Sequence, residues 1–422
     1  MLKRNVPAVL AGLVILIGLA AAVYQIPAVK VRVDWRLERT LVYADAVLHP
    51  IQPVPTALPS PTGIASPTAP PSPEPTATAN PQATATPTLA PLPAQVFLPS
   101  PQFEDERKFP NNCGPATLTM DLRMYGWVGD QFTISNVIKP KPDDRNVNPD
   151  ELTWWVGNYA GWLKATYRVN GNLTLLKQLL AANFPVMIEE TFVDDSAYWP
   201  NDDLWAAHYV LVTGYDDNAG AFTVQDAYHG ANMSIPYDKL LKDWEPFNHL
   251  YLLVYKPDEE SQLSALLGPD WNADSNRQNA LSATQAATVA DPADAFAWFN
   301  YGSNLVYFNR YSEADAAYDT ARKIGLPQRM MRYQFGPFIA DFHTDRIDDL
   351  LSITQDTLDK AGYKWSEEAW LWKGYALYRK GSLADALGAW NNALSVHPDF
   401  CDAEYAINTY VRPTYVSAAC IP

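Results

Sequence analysis

The sequence has few of the residues from which metal centres and disulfide scaffolds are built. Its 422 residues hold three cysteines and six histidines. So low a cysteine count excludes a disulfide-dense fold. There is no CxxC pair, no HExxH and no Walker-type glycine loop, which removes the short signatures of thiol redox, zinc peptidase and nucleotide chemistry. No motif implies a metal or an organic cofactor. Positive charge is also scarce: Lys and Arg number 31 against 47 Asp and Glu, a net charge of −16. No basic run breaks that balance, so nucleic acid is not an expected partner.

Charge is absent or nearly absent from two stretches. The first is the apolar run from Val6 to Tyr24, preceded by Lys3 and Arg4. It is longer than a signal-peptide core and close to the ~20 residues that span a bilayer. We read residues 6–24 as a transmembrane anchor. The positive-inside tendency puts the N-terminus in the cytoplasm and the rest of the chain outside. Cleavage near Ala22 and secretion is the alternative. Residues 25–50 are read as a membrane-proximal segment. The second stretch, within residues 51–96, is dominated by Pro, Thr, Ala and Ser, with Glu74 its only charge between Pro53 and Pro93. It is too apolar-poor to fold and is expected to be a disordered spacer, reaching about 100 Å if extended at 3.1 Å per residue.

Against this background Cys113 stands out, in Asn112-Cys113-Gly114-Pro115-Ala116. A turn precedes it, and Leu118, Leu122 and Tyr125 follow at helical spacing until Gly126. A cysteine opening a helix faces unpaired N–H groups and the positive end of the dipole, which stabilise a thiolate. Further on, His208 begins a strand that runs to Tyr215-Asp216, and a second strand, Ala221 to Gln225, leads to Asp226. If the two strands pair antiparallel, His208 and Asp226 meet. An imidazole can take the thiol proton, and a carboxylate can fix its tautomer.

These pieces together resemble the bacteriocin-processing cysteine peptidases, specifically free-standing C39-like domains of papain-like α+β fold. The resemblance covers residues 97–257. It includes the segment Asn172 to Leu180 followed by Phe184-Pro185-Val186-Met187-Ile188, then Trp244 and the strand Leu250 to Tyr255. It implies Cys113 as nucleophile, His208 as general base and then acid, and Asp226 as the orienting carboxylate. The family also places a Gln five or six residues before the Cys to help hold the oxyanion. Here Lys108 and Arg107 stand there. Asn112, Asn111 and Gln102 are the amides left as oxyanion candidates. The best-known members remove leader peptides on the cytoplasmic side of an exporter. An extracytoplasmic domain points instead to another peptide or protein substrate. A peptidase-like scaffold without turnover, or an acyltransferase using the same residues, are the other readings.

A connector is expected over residues 258–279, and helical repeats over 280–411. Trp298, Gly302, Ala314, Tyr318 and Ala321 recur as Trp370, Gly374, Ala386, Trp390 and Ala393, offset by 72 residues. The pattern resembles the tetratricopeptide repeat, an all-α array. A degenerate unit fits between the two copies, with Gly336 at the equivalent place. Such arrays present surfaces to peptide or protein partners. The preceding domain is expected to fold without the array. Residues 412–422 form a tail, and Cys401 and Cys420 are candidates for a disulfide. His49, His229, His249, His343 and His397 are scattered, and His229 reads as a surface residue. Asp143-Asp144 and Asp194-Asp195 read as solvated loop charges.

Overall fold

The computed structural model describes residues 16–26, 54–58, 91–193 and 204–411, apart from 108, 110, 142, 143, 145 and 360–362, together with scattered helical positions between 29 and 48. Residues 6–15 of the expected anchor fall outside this set. Among the described residues no helix is long and apolar enough to cross a membrane.

Seven strands form one antiparallel sheet: β1 (Gln95–Phe97), β2 (Lys164–Arg168), β3 (Val186–Val193), β4 (Trp205–Asp216), β5 (Ala221–Asp226), β6 (Gly230–Pro236) and β7 (Tyr251–Tyr255). The order is β2-β7-β3-β4-β5-β6, and β1 pairs with the far end of β4. The central strands are apolar without alternation because both faces are covered. Met187, Leu211, Leu252 and Val254 face one helical layer: α1 (Cys113–Met124), α2 (Gln131–Ile138) and α3 (Pro149–Tyr159). Ile188, Val210, Val212 and Leu253 face the other: α4 (Leu173–Ala181), α5 (Tyr237–Trp244) and α6 (Glu260–Leu267). Helix α6 occupies part of the expected connector, and its Leu263 and Leu267 are buried in the sheet core.

Helix pairs follow. A long helix, α7 (Ala273–Ala290), leads into α8 (Ala295–Tyr307) and α9 (Tyr311–Ile324). Then come α10 (Gly336–His343) with α11 (Ile347–Asp359), α12 (Glu367–Arg379) with α13 (Leu383–Val396), and α14 (Cys401–Tyr410). The outer pairs follow the repeat pattern for a steric reason. A Cβ on Gly302 would lie 2.7 Å from the Tyr318 ring, and one on Gly374 would lie 2.3 Å from Trp390 Nε1. The middle unit departs from it. Gly336 does not sit within a helix as Gly302 and Gly374 do; it opens α10, where Pro337 fixes the first turn and leaves a helix of eight residues. Gly336 still packs on Tyr318, where a Cβ would lie 1.9 Å from the hydroxyl, and ion pairs add to the contact: Arg322 pairs with Asp349 at 3.0 Å, and Arg346 contacts Asp319 at 3.0 Å and Asp349 at 2.6 Å.

Two expectations change here. The 51–96 segment is not free along its whole length: Val54 is buried in the array core, and Arg322 Nε donates to the Pro55 carbonyl at 2.7 Å. Gln95 and Val96 belong to β1. The array is also not an appendage. Trp205, Phe247 and Leu250 of the sheet domain share a core with Phe299, Leu305 and Met330, and Asn248 Nδ2 donates to Asn304 Oδ1 at 2.8 Å. Cys401 is disulfide-bonded; Cys420 lies outside the described residues.

Candidate active site

Cys113 is the first residue of α1, with Asn112 as its cap. Pro115 in the first turn carries no N–H, so the groups of Cys113 and Gly114 are the free donors there. Helix α1 is pressed onto β4: Thr117 Oγ1 donates to the Tyr209 carbonyl at 2.9 Å, and a Cβ at Gly114 would touch Tyr209 and Val147 at 3.4 Å. This contact sets the thiol beside the residue preceding Tyr209, which is His208.

On the sheet, β4 and β5 pair antiparallel with Leu211 opposite Gln225. Gly214, within the bulge between Val212 and Gly214, lets β1 cross; a Cβ there would lie 2.7 Å from the Val96 carbonyl. The pairing brings His208 Nε2 to 2.8 Å from Asp226 Oδ1. With Nε2 engaged, Nδ1 is the nitrogen left for Cys113, whose side chain is among the groups that raise the His208 pKa. The free cysteine is half-buried, and His208 is 3% exposed. Phe192 packs its ring edge-to-face on the imidazole, with centroids 5.3 Å apart.

The electrostatics favour a charged imidazole. Burial alone would lower the His208 pKa, but the Asp226 carboxylate, the Cys113 side chain and Glu106 hold it well above its ordinary value. Asp226 shows the mirror image. Burial would raise it, yet His208, His229 and backbone N–H groups hold it well below the carboxylate range. Its Oδ1 also accepts from the Tyr228 and His229 N–H groups at 2.9 Å, and its Oδ2 lies 2.7 Å from His229 Nδ1. His229 is therefore more than a surface residue: it is the second imidazole on this carboxylate.

The oxyanion candidates fare differently. Asn112 is 4% exposed, and its Nδ2 donates to Gln131 Oε1 at 2.6 Å. Asn111 has a φ of 65° and offers its backbone carbonyl to Lys139 Nζ at 2.8 Å. Gln102 is exposed. None of the three points an observed amide donor at Cys113. The group that does reach the centre is Glu106. One of its oxygens lies 3.7 Å from His208 Nδ1, the other is buried without a hydrogen-bond partner, and burial raises its pKa. Its loop is fixed from α2, where Gln131 Nε2 donates to Glu104 Oε1 at 3.1 Å and to the Asp105 carbonyl at 3.0 Å.

Sequence reasoning missed Glu106, Gln131 and Glu190. The last lies opposite His208 on β3 and is pushed up to about 7 by burial. A signal existed for Glu190: two acids, Glu189 and Glu190, interrupt an otherwise apolar strand. Glu106 and Gln131 carry no local pattern.

An α+β layer with a helix-opening cysteine against a His–carboxylate pair is the architecture of a cysteine peptidase fold. Residues 95–252 match the sequence profile of the Peptidase_C39 like family, and the chain carries a C39-like peptidase domain followed by a helical, tetratricopeptide-like region. Solved structures with related segments include a C39-like peptidase from Bacillus anthracis (18% identity, 38% of this chain and 98% of that one, TM-score 0.31). They also include YrrB, a tetratricopeptide-repeat protein with an unusual peptide-binding site (20% identity, 35% and 74%, TM-score 0.28), and MamA (16%, 32% and 76%, 0.28). No curated protein matches the chain.

Proposed function

We propose that this chain is a cysteine peptidase that cleaves a peptide or isopeptide bond, with Cys113, His208 and Asp226 as its catalytic groups. The observation that carries the reading is a cysteine opening α1 beside a buried imidazole that is itself held by a carboxylate, His208 Nε2 to Asp226 Oδ1 at 2.8 Å. In this mechanism the Cys113 thiolate attacks the carbonyl carbon. The Cys113 N–H holds part of the developing oxyanion. His208 Nδ1–H protonates the leaving amine, and the acyl-enzyme remains. His208 then takes a proton from water, hydroxide attacks the thioester carbonyl, and Cys113 leaves as thiolate. An amine in place of water would give acyl transfer. The array would capture a protein or peptide partner, and the Val6–Tyr24 run would anchor the chain with its globular part outside the cell.

One observation favours a second reading, a binding scaffold without turnover. The buried carboxyl of Glu106 faces His208, and among the described residues the side-chain amide of Asn112 is engaged with Gln131 instead of the thiol. Alkylation by iodoacetamide decides. Cys113 should react at pH 6, and His208→Ala should slow the reaction at least tenfold, on the order expected when a general base is removed. Peptide hydrolysis should vanish in Cys113→Ala. Alkylation indifferent to His208 would overturn the peptidase reading.

A further inference from the structure

Behind the nucleophile's loop, where the peptidase domain meets the array, lies a second cluster of ionisable groups. Asp144 and Glu151 come from the loop after α2 and the first turn of α3; Glu367 and Glu368 open α12; His397 follows α13. Asp144 is 1% exposed, so it is not the solvated loop charge expected from the sequence. His397 is fully buried, and Glu151 and Glu367 are each 2% exposed.

The geometry converges. His397 Nδ1 lies 3.8 Å from Glu151 Oε1 and 3.8 Å from Glu367 Oε1. Donor atoms of Asp144, Glu367 and His397 all lie within 4.8 Å of one another. Two ligands about 2.1 Å from a shared ion sit at most about 4.2 Å apart, so the 3.8 Å separations fit a common ion. The decisive feature is what these side chains lack: neither ring nitrogen of His397 and not the Oε2 of Glu367 has a hydrogen-bond partner. An imidazole buried with both nitrogens unsatisfied is costly and rare. The surrounding layer, in contrast, is satisfied. Asn148 Nδ2 and Asn146 Nδ2 donate to Glu368 Oε1 at 2.9 and 3.2 Å, and the Asn148 N–H donates to Glu151 Oε2 at 2.6 Å. Such outer hydrogen bonds orient the groups that face an ion.

We propose that Asp144, Glu367 and His397, with Glu151 at the edge, bind one divalent transition cation that clasps the helical array to the peptidase domain. A nitrogen donor among carboxylates suits zinc or manganese, whereas calcium and magnesium take all-oxygen shells. The ion would also be close to the nucleophile's loop, since Lys139 Nζ bridges the Asp144 carbonyl at 2.6 Å and the Asn111 carbonyl at 2.8 Å.

The test uses the full chain. Metal content by plasma mass spectrometry should give about one equivalent of zinc or manganese per chain. Chelation should lower Tm by about 5 °C or more, and ZnCl2 or MnCl2 should restore it. His397→Gln and Glu367→Gln should each lose the metal while keeping the wild-type far-ultraviolet spectrum. If these variants misfold, chelation and metal return to the wild-type protein decide. Wild-type protein without stoichiometric metal and with a Tm indifferent to zinc and manganese would overturn the proposal. So would retention of the metal by both folded variants, or rescue by CaCl2 equal to that by ZnCl2.

Discussion

Asp226 receives His208 on one oxygen, His229 on the other, and two backbone N–H groups besides. An Asn there keeps the shape and removes the charge that holds His208 protonated. Asp226→Asn should cut kcat by about 10³ or more with little change in KM, read from initial rates on a cleaved peptide. Glu106 gives a prediction with a sign. Its pKa lies above the ordinary carboxyl value, chiefly through burial. The neutral acid therefore persists to higher pH than usual, and it ionises as pH rises. The anion would then compete with the Cys113 thiolate for the His208 imidazolium. Activity should fall as pH rises through the raised Glu106 pKa, and Glu106→Gln should remove that fall. An unchanged pH–rate profile in the variant would remove Glu106 from the site. These residues also mark how far the sequence was legible. Cys113, His208 and Asp226 each sit in a local pattern: a turn before a helix, a strand start, a strand end. Glu106 sits in an irregular loop, and Glu367 and Glu368 look like ordinary first-turn acids that favour any helix N-terminus. Only the tertiary fold shows that both places are buried.

At the scale of elements, α12 against α13 shows why the repeat signature reads so clearly. Its glycine is a contact surface. Replacing a mid-helix Gly by Ala usually gains about 1 kcal/mol of helix propensity. At Gly374 the new Cβ would meet the Trp390 indole at 2.3 Å, and overpacking costs about 1–3 kcal/mol. The steric term should win, so Gly374→Ala should lower Tm in a thermal melt, and Gly302→Ala should do the same through Tyr318. The spacing of small and aromatic residues exposed the outer pairs because their packing is written in single positions. The middle pair was only half legible. Its ion pairs with α9, Arg322 to Asp349 and Arg346 to Asp319, reach between helices, and no short-range spacing encodes them.

For the whole molecule, the shared core argues against a sheet domain that folds without the array, and a truncation tests it. Removing residues 280–422 would expose Trp205, Phe247 and Leu250 together. Trp205 lies three residues before His208 on the same strand, and Phe247 stacks on it at 5.7 Å. The truncated protein should aggregate or melt at a markedly lower temperature. A soluble fragment with wild-type Tm and activity would restore the two-unit view. The domain layout was legible because composition and periodicity change along the chain; its fusion into one body was not, because the contacts join residues far apart in sequence.

The docking of Val54 and Pro55 on the array has a mechanical consequence. The chain touches the array at Val54 and Pro55 and meets the sheet domain again from Pro93, whose carbonyl accepts from Tyr215 Oη, and Gln95, which pairs with β4. The two flanks of the Pro/Thr-rich stretch are thus both tied to the globular part, and tension applied from the N-terminal side should be borne at Val54. A protease site inserted in that stretch should be cut while both pieces stay together on a native gel. The clearance of the globular part above any anchor would then be governed by residues 25–53, and lengthening the Pro/Thr-rich stretch should leave it unchanged.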